Sequence, residues 1–150
     1  MEPPMRELIE ELDKNLKYEK YEIIENTIII YAKSAENSGK CPKCGEESTK
    51  VHSRNIRKIQ DLPMAGKKVM MALERRKFFC VNPECSQKIY AEQFEFIGAK
   101  LWKTKRLQDE IMRVSLTQSA LSASKYLRHS VANVGKSTIC NMLKKRHAYE

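Results

Sequence analysis

Apolar positions along this chain change their period twice. From Met5 to Leu16 they fall at Met5, Leu8, Ile9, Leu12 and Leu16, a spacing that predicts an amphipathic helix. The next stretch, YEIIENTIIIYAK, is β-branched and aromatic on both sides of Glu25 and Asn26, which predicts two strands joined by a short turn. The run Thr27 to Ile30 carries the strongest strand signal in the chain. AENSGK then breaks the pattern as a loop. Further on, Ile56 to Ile59 and Val69 to Phe79 read as partner strands, with Pro63 and Gly66 in DLPMAGKK as the turn signals between them.

The helical period returns near the C-terminus. Leu107, Ile111 and Val114 mark one helix, and Ala120, Leu121, Ser124 and Leu127 a second. HSVANVG interrupts, and a third helix begins at Lys136 with Ile139, Met142 and Leu143 facing inward. Proline is absent from this region and glycine occurs only at Gly135. The expected fold class is α+β: an N-terminal helix and β-hairpin (1–40), a β-rich module (41–98) and a helical domain (101–148).

Charge changes this picture in one respect. The net charge of +9 is unevenly spread. Residues 1–40 hold six cations against nine acids, 41–100 twelve against seven, and 101–150 ten against three. A basic C-terminal region suits a polyanion, because cations facing phosphates gain by counterion release. No apolar run approaches the roughly 18 residues of a membrane span. The start, MEPPMRELIEELDK, has no apolar core of a secretory signal. The expectation is therefore a cytoplasmic, nucleoid-associated protein with no membrane partner and no small-molecule substrate.

In such a compartment thiols stay reduced, and that bears on the five cysteines. Four lie in CPKCG (41–45) and CVNPEC (80–85). A redox reading of CPKC would need a βαβ setting and would leave the second pair without a role. The two spacings, two and four residues between cysteines, each suit one half of a tetrahedral zinc site. Cys41, Cys44, Cys80 and Cys85 are the expected ligands of one structural Zn²⁺, since four thiolates leave no open coordination position. Buried thiols without metal are the bland alternative. His52 could replace one cysteine, though a strand position or a phosphate contact suits it better. Cys140 reads as a helix packing residue and Trp102 as a packing anchor.

The last two helices have the form of a helix-turn-helix, whose second helix enters the DNA major groove by its N-terminal part. Lys136, Ser137, Thr138 and Asn141 would reach base edges or phosphates, asparagine being able to pair with adenine. Lys144, Lys145 and Arg146 would lie along the backbone. On the strands, Arg54, Arg57, Arg75 and Arg76 are candidate phosphate contacts, and a solvated strand face is the alternative.

Taken in order, the chain reads C-P-x-C-G (Cys41, Pro42, Cys44, Gly45), V-H-S-R (Val51 to Arg54), then Arg57 with Asp61-Leu62-Pro63, Arg75-Arg76 with Phe78 and Cys80, and N-P-x-C (Asn82, Pro83, Cys85), followed by Tyr90-Ala91-Glu92. This order resembles the N-terminal half of the ISL-three family of bacterial insertion-sequence transposases. The resemblance covers roughly residues 38–146. It implies a zinc-binding module and a helix-turn-helix that together recognise the terminal inverted repeats of an element, with double-stranded DNA and full-length transposase or a second copy as partners. It also implies a separate catalytic domain with a carboxylate triad, which cannot be assigned in this chain. The expectation is a truncated, non-catalytic DNA-binding module. Gly135 departs from the family, which often has serine there. The competing readings are a zinc-ribbon transcriptional regulator, an RNA- or ribosome-associated protein, and a nuclease using Asp61 and Glu92. Stacking aromatics of the kind that bind single strands are not evident in the sequence.

Overall fold

The computed structural model describes residues 3–97 and 102–149, and the side chains of 5–97 and 102–145. The chain is α+β. Helix α1 (Pro3–Glu10) leads into a hairpin of β1 (Leu16–Ile24) and β2 (Thr27–Ser34). Two short strands follow, β3 (Gly39–Lys40) and β4 (Glu47–Ser48). Then comes a long hairpin of β5 (Val51–Met64) and β6 (Lys67–Phe79), and a short strand β7 (Ile89–Ala91). Three helices complete the chain: α2 (Lys105–Ser115), α3 (Ala120–Ser130) and α4 (Lys136–Tyr149).

The main sheet has the order β1-β2-β6-β5, with β7 added to β6. Strands β2 and β6 run parallel, Ile28 opposite Val69 and Ile30 opposite Met71, and the other pairings are antiparallel. The segments expected as separate units, 1–40 and 41–98, thus meet in one sheet. They also share one core, in which Ile9, Leu16, Tyr18, Ile28 and Ile30 pack with Ile59, Val69, Met71, Leu73, Phe94 and Phe96. The change of charge between the two segments belongs to their surfaces, which is why it does not mark a boundary in the core.

Three local expectations shift. The first helix ends at Glu10 rather than Leu16. Asp13, buried, stops it: its carboxylate accepts from the N–H of Asn15 at 2.9 Å and of Glu95 at 3.1 Å. Such side-chain bonding offers the backbone an alternative to the helix, and Leu16 opens β1 instead. The turn of the second hairpin is Ala65-Gly66, with φ of 50° and 72°, the two positive values a tight hairpin favours. Pro63 lies inside β5, beside an irregularity between Asp61 and Met64, where a missing donor is tolerated. In α3, Leu121 is exposed and Ala123 fills the core in its place.

A second core joins the three helices: Leu107, Ile111, Val114, Ala123, Leu127, Val131, Ala132, Val134 and Ile139. Caps set the helix starts, Thr104 for α2 and Ser119 for α3. Leu62 of β5 packs against this core, and beside it lies a polar joint. Asp61 is fully buried and accepts from Thr104 Oγ1 at 2.7 Å and from Arg106 Nε at 2.8 Å. That hydrogen bond holds the Arg106 guanidinium above its usual pKa. Removing one partner of a buried pair leaves the other uncompensated. Asp61→Ala is expected to lower stability by about 2–4 kcal/mol, toward the small end of what a buried pair costs because Arg106 keeps some solvent. Urea titration followed in the helical and the sheet signals should show the helical transition moving to lower denaturant than the sheet's.

Candidate functional site

The metal centre is built by local chain geometry. In CPKCG the N–H of Gly45 bonds to the carbonyl of Cys41 at 2.9 Å, folding the knuckle so that both sulfurs point one way. Gly45 has φ of 79°, in the left-handed region that a side chain disfavours. Strands β3 and β4 pair across this knuckle. Strand β6 delivers Cys80, whose N–H bonds to the Lys88 carbonyl at 2.8 Å, and Cys85 N–H bonds to the Asn82 carbonyl at 3.2 Å. Lys43 on the first knuckle bonds Ser86 on the second.

The four sulfurs of Cys41, Cys44, Cys80 and Cys85 lie within 4.8 Å of one another. Cys41 Sγ is 3.9 Å from Cys85 Sγ, and Cys44 Sγ is 3.6 Å from Cys80 Sγ. A tetrahedron with Zn–S bonds of about 2.3 Å has sulfur edges of about 3.8 Å, so the cluster has the size a zinc ion requires. Its acid–base chemistry asks for a cation too. Although burial opposes it, the Cys41 thiol is lowered to about 7 by backbone N–H groups of Cys44 and Lys43 and by neighbouring thiols. The Cys80 thiol is raised to about 12: a backbone hydrogen bond from the Asn82 region favours its thiolate, but burial and the surrounding sulfurs outweigh it. Four sulfurs this close cannot all ionise unless a cation shares the charge.

The ribbon is fastened to the main sheet through Phe78. Its ring stacks with Tyr90, centroids 5.8 Å apart, beside Cys41 and Cys85. A Cβ on Gly39 would stand 2.7 Å from the Phe78 ring, so only glycine allows this approach. Tyr90 Oη donates to the Gly39 carbonyl at 2.7 Å. Burial raises the Tyr90 pKa, which keeps that donor protonated.

The basic residues divide. On α4, Lys136, Ser137, Asn141, Lys144 and Lys145 are exposed and Thr138 is half-buried; the side chain of Arg146 lies outside the described residues. Helices α3 and α4 are joined by residues 131–135. Ser124 Oγ donates to the Val134 carbonyl at 2.8 Å and Arg128 Nε to the same oxygen at 3.2 Å, so α3 braces the turn. On the sheet, Arg54 is exposed near Glu74, at 3.8 Å. Arg57 lies over the Trp102 ring at 4.2 Å. Arg75 donates to the Glu92 carbonyl at 3.0 Å, and burial together with the nearby Arg57 charge lowers its pKa. Arg76 departs from its expected role. It is 9% exposed, paired with the Glu92 carboxylate at 2.6 Å and bonded to the Glu36 carbonyl. Its strand parity turns it to the ribbon's side, so its charge is spent inside the protein.

Other expectations resolve in the same way. Asp61 and Glu92, the pair weighed for a nuclease, are held by Thr104 and Arg106 in one case and by Arg76 in the other. His52 is an exposed strand residue, edge-on to Phe79 and bonded to Ser53 Oγ at 3.0 Å, outside the sulfur cluster. Cys140 is half-buried on α4. Trp102, expected as a packing anchor between segments, is 57% exposed and carries Arg57 on its ring. Among the described residues no helix is long and apolar enough to cross a membrane. The contacts that join β5 and β6 to the turn before α4, through Gln60, Lys68 and Asn133, had no local signal in the sequence, since up to 73 residues separate the partners.

Comparison with known proteins agrees with this geometry. Residues 37–85 match the model of the zinc-finger of transposase IS204/IS1001/IS1096/IS1165. The ribbon is of the ISL-three transposase type. The transposase for insertion sequence element IS1001 of Bordetella parapertussis is 32% identical over 54 residues, a stretch that covers 36% of this chain and 13% of that relative. No solved structure matches the chain significantly. The transposase-type ribbon holds one structural zinc ion, which the four thiolates would close off from substrate. Stripping zinc with a chelator is expected to unfold the two knuckles, residues 39–48 and 80–88, because ligation contributes on the order of 10 kcal/mol. The separate core of the main sheet should retain its strand signal. Zinc release counted by a colorimetric dye should give one ion per chain, and loading should weaken as pH falls, since protons compete for the sulfurs.

Proposed function

We propose that this chain is a zinc-dependent DNA-binding module of a transposase, one that recognises the terminal inverted repeats of an insertion sequence. The observation that carries the reading is the exposed face of α4. Lys136, Ser137 and Asn141 stand on its first turns and Lys144 and Lys145 on its later ones. This helix follows a braced turn in a protein whose ribbon is of transposase type. In this reading α3, the turn and α4 form the helix-turn-helix, with α4 in the major groove. Asn141 reads a base edge, and Lys136, Ser137 and Thr138 contact bases or phosphates at the helix start. Lys144 and Lys145 lie along the backbone.

The sheet adds affinity rather than sequence preference. In this reading Arg54 and Arg57 contact phosphate, and the Arg57 charge acts on nearby Arg75, where a bound anion would relieve their repulsion. The zinc ion takes no part in chemistry. It keeps the ribbon folded against Phe78 and so supports the strands that carry these cations. The module supplies binding to duplex DNA, and strand cutting and joining fall outside its role.

A second reading is favoured by one observation. The exposed Trp102 with Arg57 on its ring could stack an unpaired base. Competition between duplex and single strand separates the two.

The test is selection from a random duplex pool with zinc-loaded protein and a zinc-stripped control. The expected result is a motif that disappears with the metal. Its affinity should fall with salt at a log–log slope near −5, for about six neutralised phosphates. Replacing Lys144 and Lys145 together by alanine should reduce that slope by about two without changing the motif. Asn141→Ala should relax one position of the motif, at a cost of about 1–3 kcal/mol. Sequence-blind binding with an unchanged slope in these variants would overturn the assignment of α4.

A further inference from the structure

Gln60, on β5, bonds the helical region four times. Its N–H donates to the Trp102 carbonyl at 2.8 Å, and its carbonyl accepts from the Thr104 N–H at 3.0 Å. Its side-chain amide then pairs with the main chain of one residue in the turn before α4. Oε1 accepts from the Asn133 N–H at 2.9 Å, and Nε2 donates to the Asn133 carbonyl at 3.3 Å. From the neighbouring strand β6, Lys68 Nζ donates to Asn133 Oδ1 at 3.2 Å. One turn residue is therefore held at its N–H, its carbonyl and its side chain, all by the sheet.

Asn133 lies three residues before α4 begins. A residue held at both its N–H and its carbonyl has the peptide before it and the peptide after it each tied to the sheet, so the direction in which the chain enters α4 is set from outside the helical core. The contacts are polar and sit at the surface, unlike the apolar packing of Val131, Ala132 and Val134 beside them. Apolar packing tolerates small rotations of a helix, whereas paired hydrogen bonds are directional. The arrangement fits a requirement for orientation more than one for stability.

We infer that Gln60 and Lys68 are positioning residues for DNA reading: they clamp Asn133 and thereby fix the angle at which α4 is presented relative to the sheet. This rests on the assignment of α4 as the reading helix. Holding and reading are kept apart, because Asn133 engages both ends of the Gln60 amide while Asn141 stays exposed further along the helix. Preorganisation of this kind raises discrimination by removing the reorganisation that a wrongly angled helix would need on binding.

The experiment uses the zinc-loaded chain, the duplex it selects from a random pool, and a scrambled duplex of the same length. Gln60→Ala should lower the ratio of the two affinities about tenfold, a loss similar to that of one good base contact. The salt slope should be unchanged, since no phosphate contact is removed. The melting temperature should also hold, and exchange of the Asn133 amide hydrogen should accelerate. The distinguishing signature is coupling. Asn141→Ala should cost about tenfold in discrimination in the unsubstituted chain and about twofold or less in the Gln60→Ala background, because a misaimed helix has less to lose. A purely structural Gln60 would shift the melting temperature and leave the Asn141 effect intact.

Should Gln60→Ala melt early, Asn133→Ala is the milder variant. It keeps both main-chain bonds to Gln60 and loses only the one to Lys68, so it should give an intermediate loss of discrimination. Undiminished discrimination in both variants, or additive effects with Asn141→Ala, overturns the positioning role. If the unsubstituted chain shows no duplex preference at all, the reading of α4 fails and this inference fails with it. That outcome is distinct, because it is seen before any variant is made.

Discussion

Repulsion among four sulfurs is the constraint that the ribbon has to overcome to close. Cys41 and Cys44 precede the long hairpin and Cys80 and Cys85 follow it, so the cluster closes a loop containing all of β5 and β6. One thiol of the cluster ionises readily and another resists ionisation strongly. A divalent cation reverses that resistance and makes the closure favourable. Once closed, the ribbon's position on the sheet is set by the Gly39 approach to Phe78 and by the Tyr90 bond across it. The buried pair of Arg76 and Glu92 adds a second fastening on the same side. The main sheet owes its own cohesion to β2 running parallel to β6, which brings α1 and the first hairpin over the core face.

Much of this was legible in the sequence because it is local. The metal ligands declare themselves by spacing, with two residues between them in one knuckle and four in the other. The hairpin at Glu25-Asn26, the strand from Val69 and the three C-terminal helices follow from period and composition. What was illegible depends on distant partners. Nothing near Arg76 says that Glu92 will neutralise it, so a basic run looked like a surface. Nothing near Asp13 says that the Glu95 N–H needs an acceptor, so the first helix looked longer. Asp61 beside Leu62-Pro63 looked like part of a turn, yet it is the buried acceptor that receives α2. The charge step at residue 40 looked like a boundary because charge reports on surfaces, while the shared core lies beneath it.

The candidate site divides along the same line. The exposed residues of α4 could be named from pattern alone, since exposure needs no partner. The residues that hold the turn before α4 could not. Gln60 and Asn133 are ordinary polar residues in the sequence, and their relation exists only after the sheet and the helices have folded against each other. The same holds for Trp102, whose exposure follows from where β5 passes the start of α2.

The β5–β6 hairpin also has a mechanical meaning. From Lys68, which grips the turn before α4, to Phe79, beside the sulfur cluster, β6 runs without a break, a span of about 36 Å at roughly 3.3 Å per residue. A load applied between the zinc ribbon and the helices runs along two covalent backbones side by side, not across their hydrogen bonds. Extended chain has almost no slack left to give. The hairpin is therefore a strut: it can bend or twist with the sheet, but it holds the two ends of the molecule at a nearly constant distance.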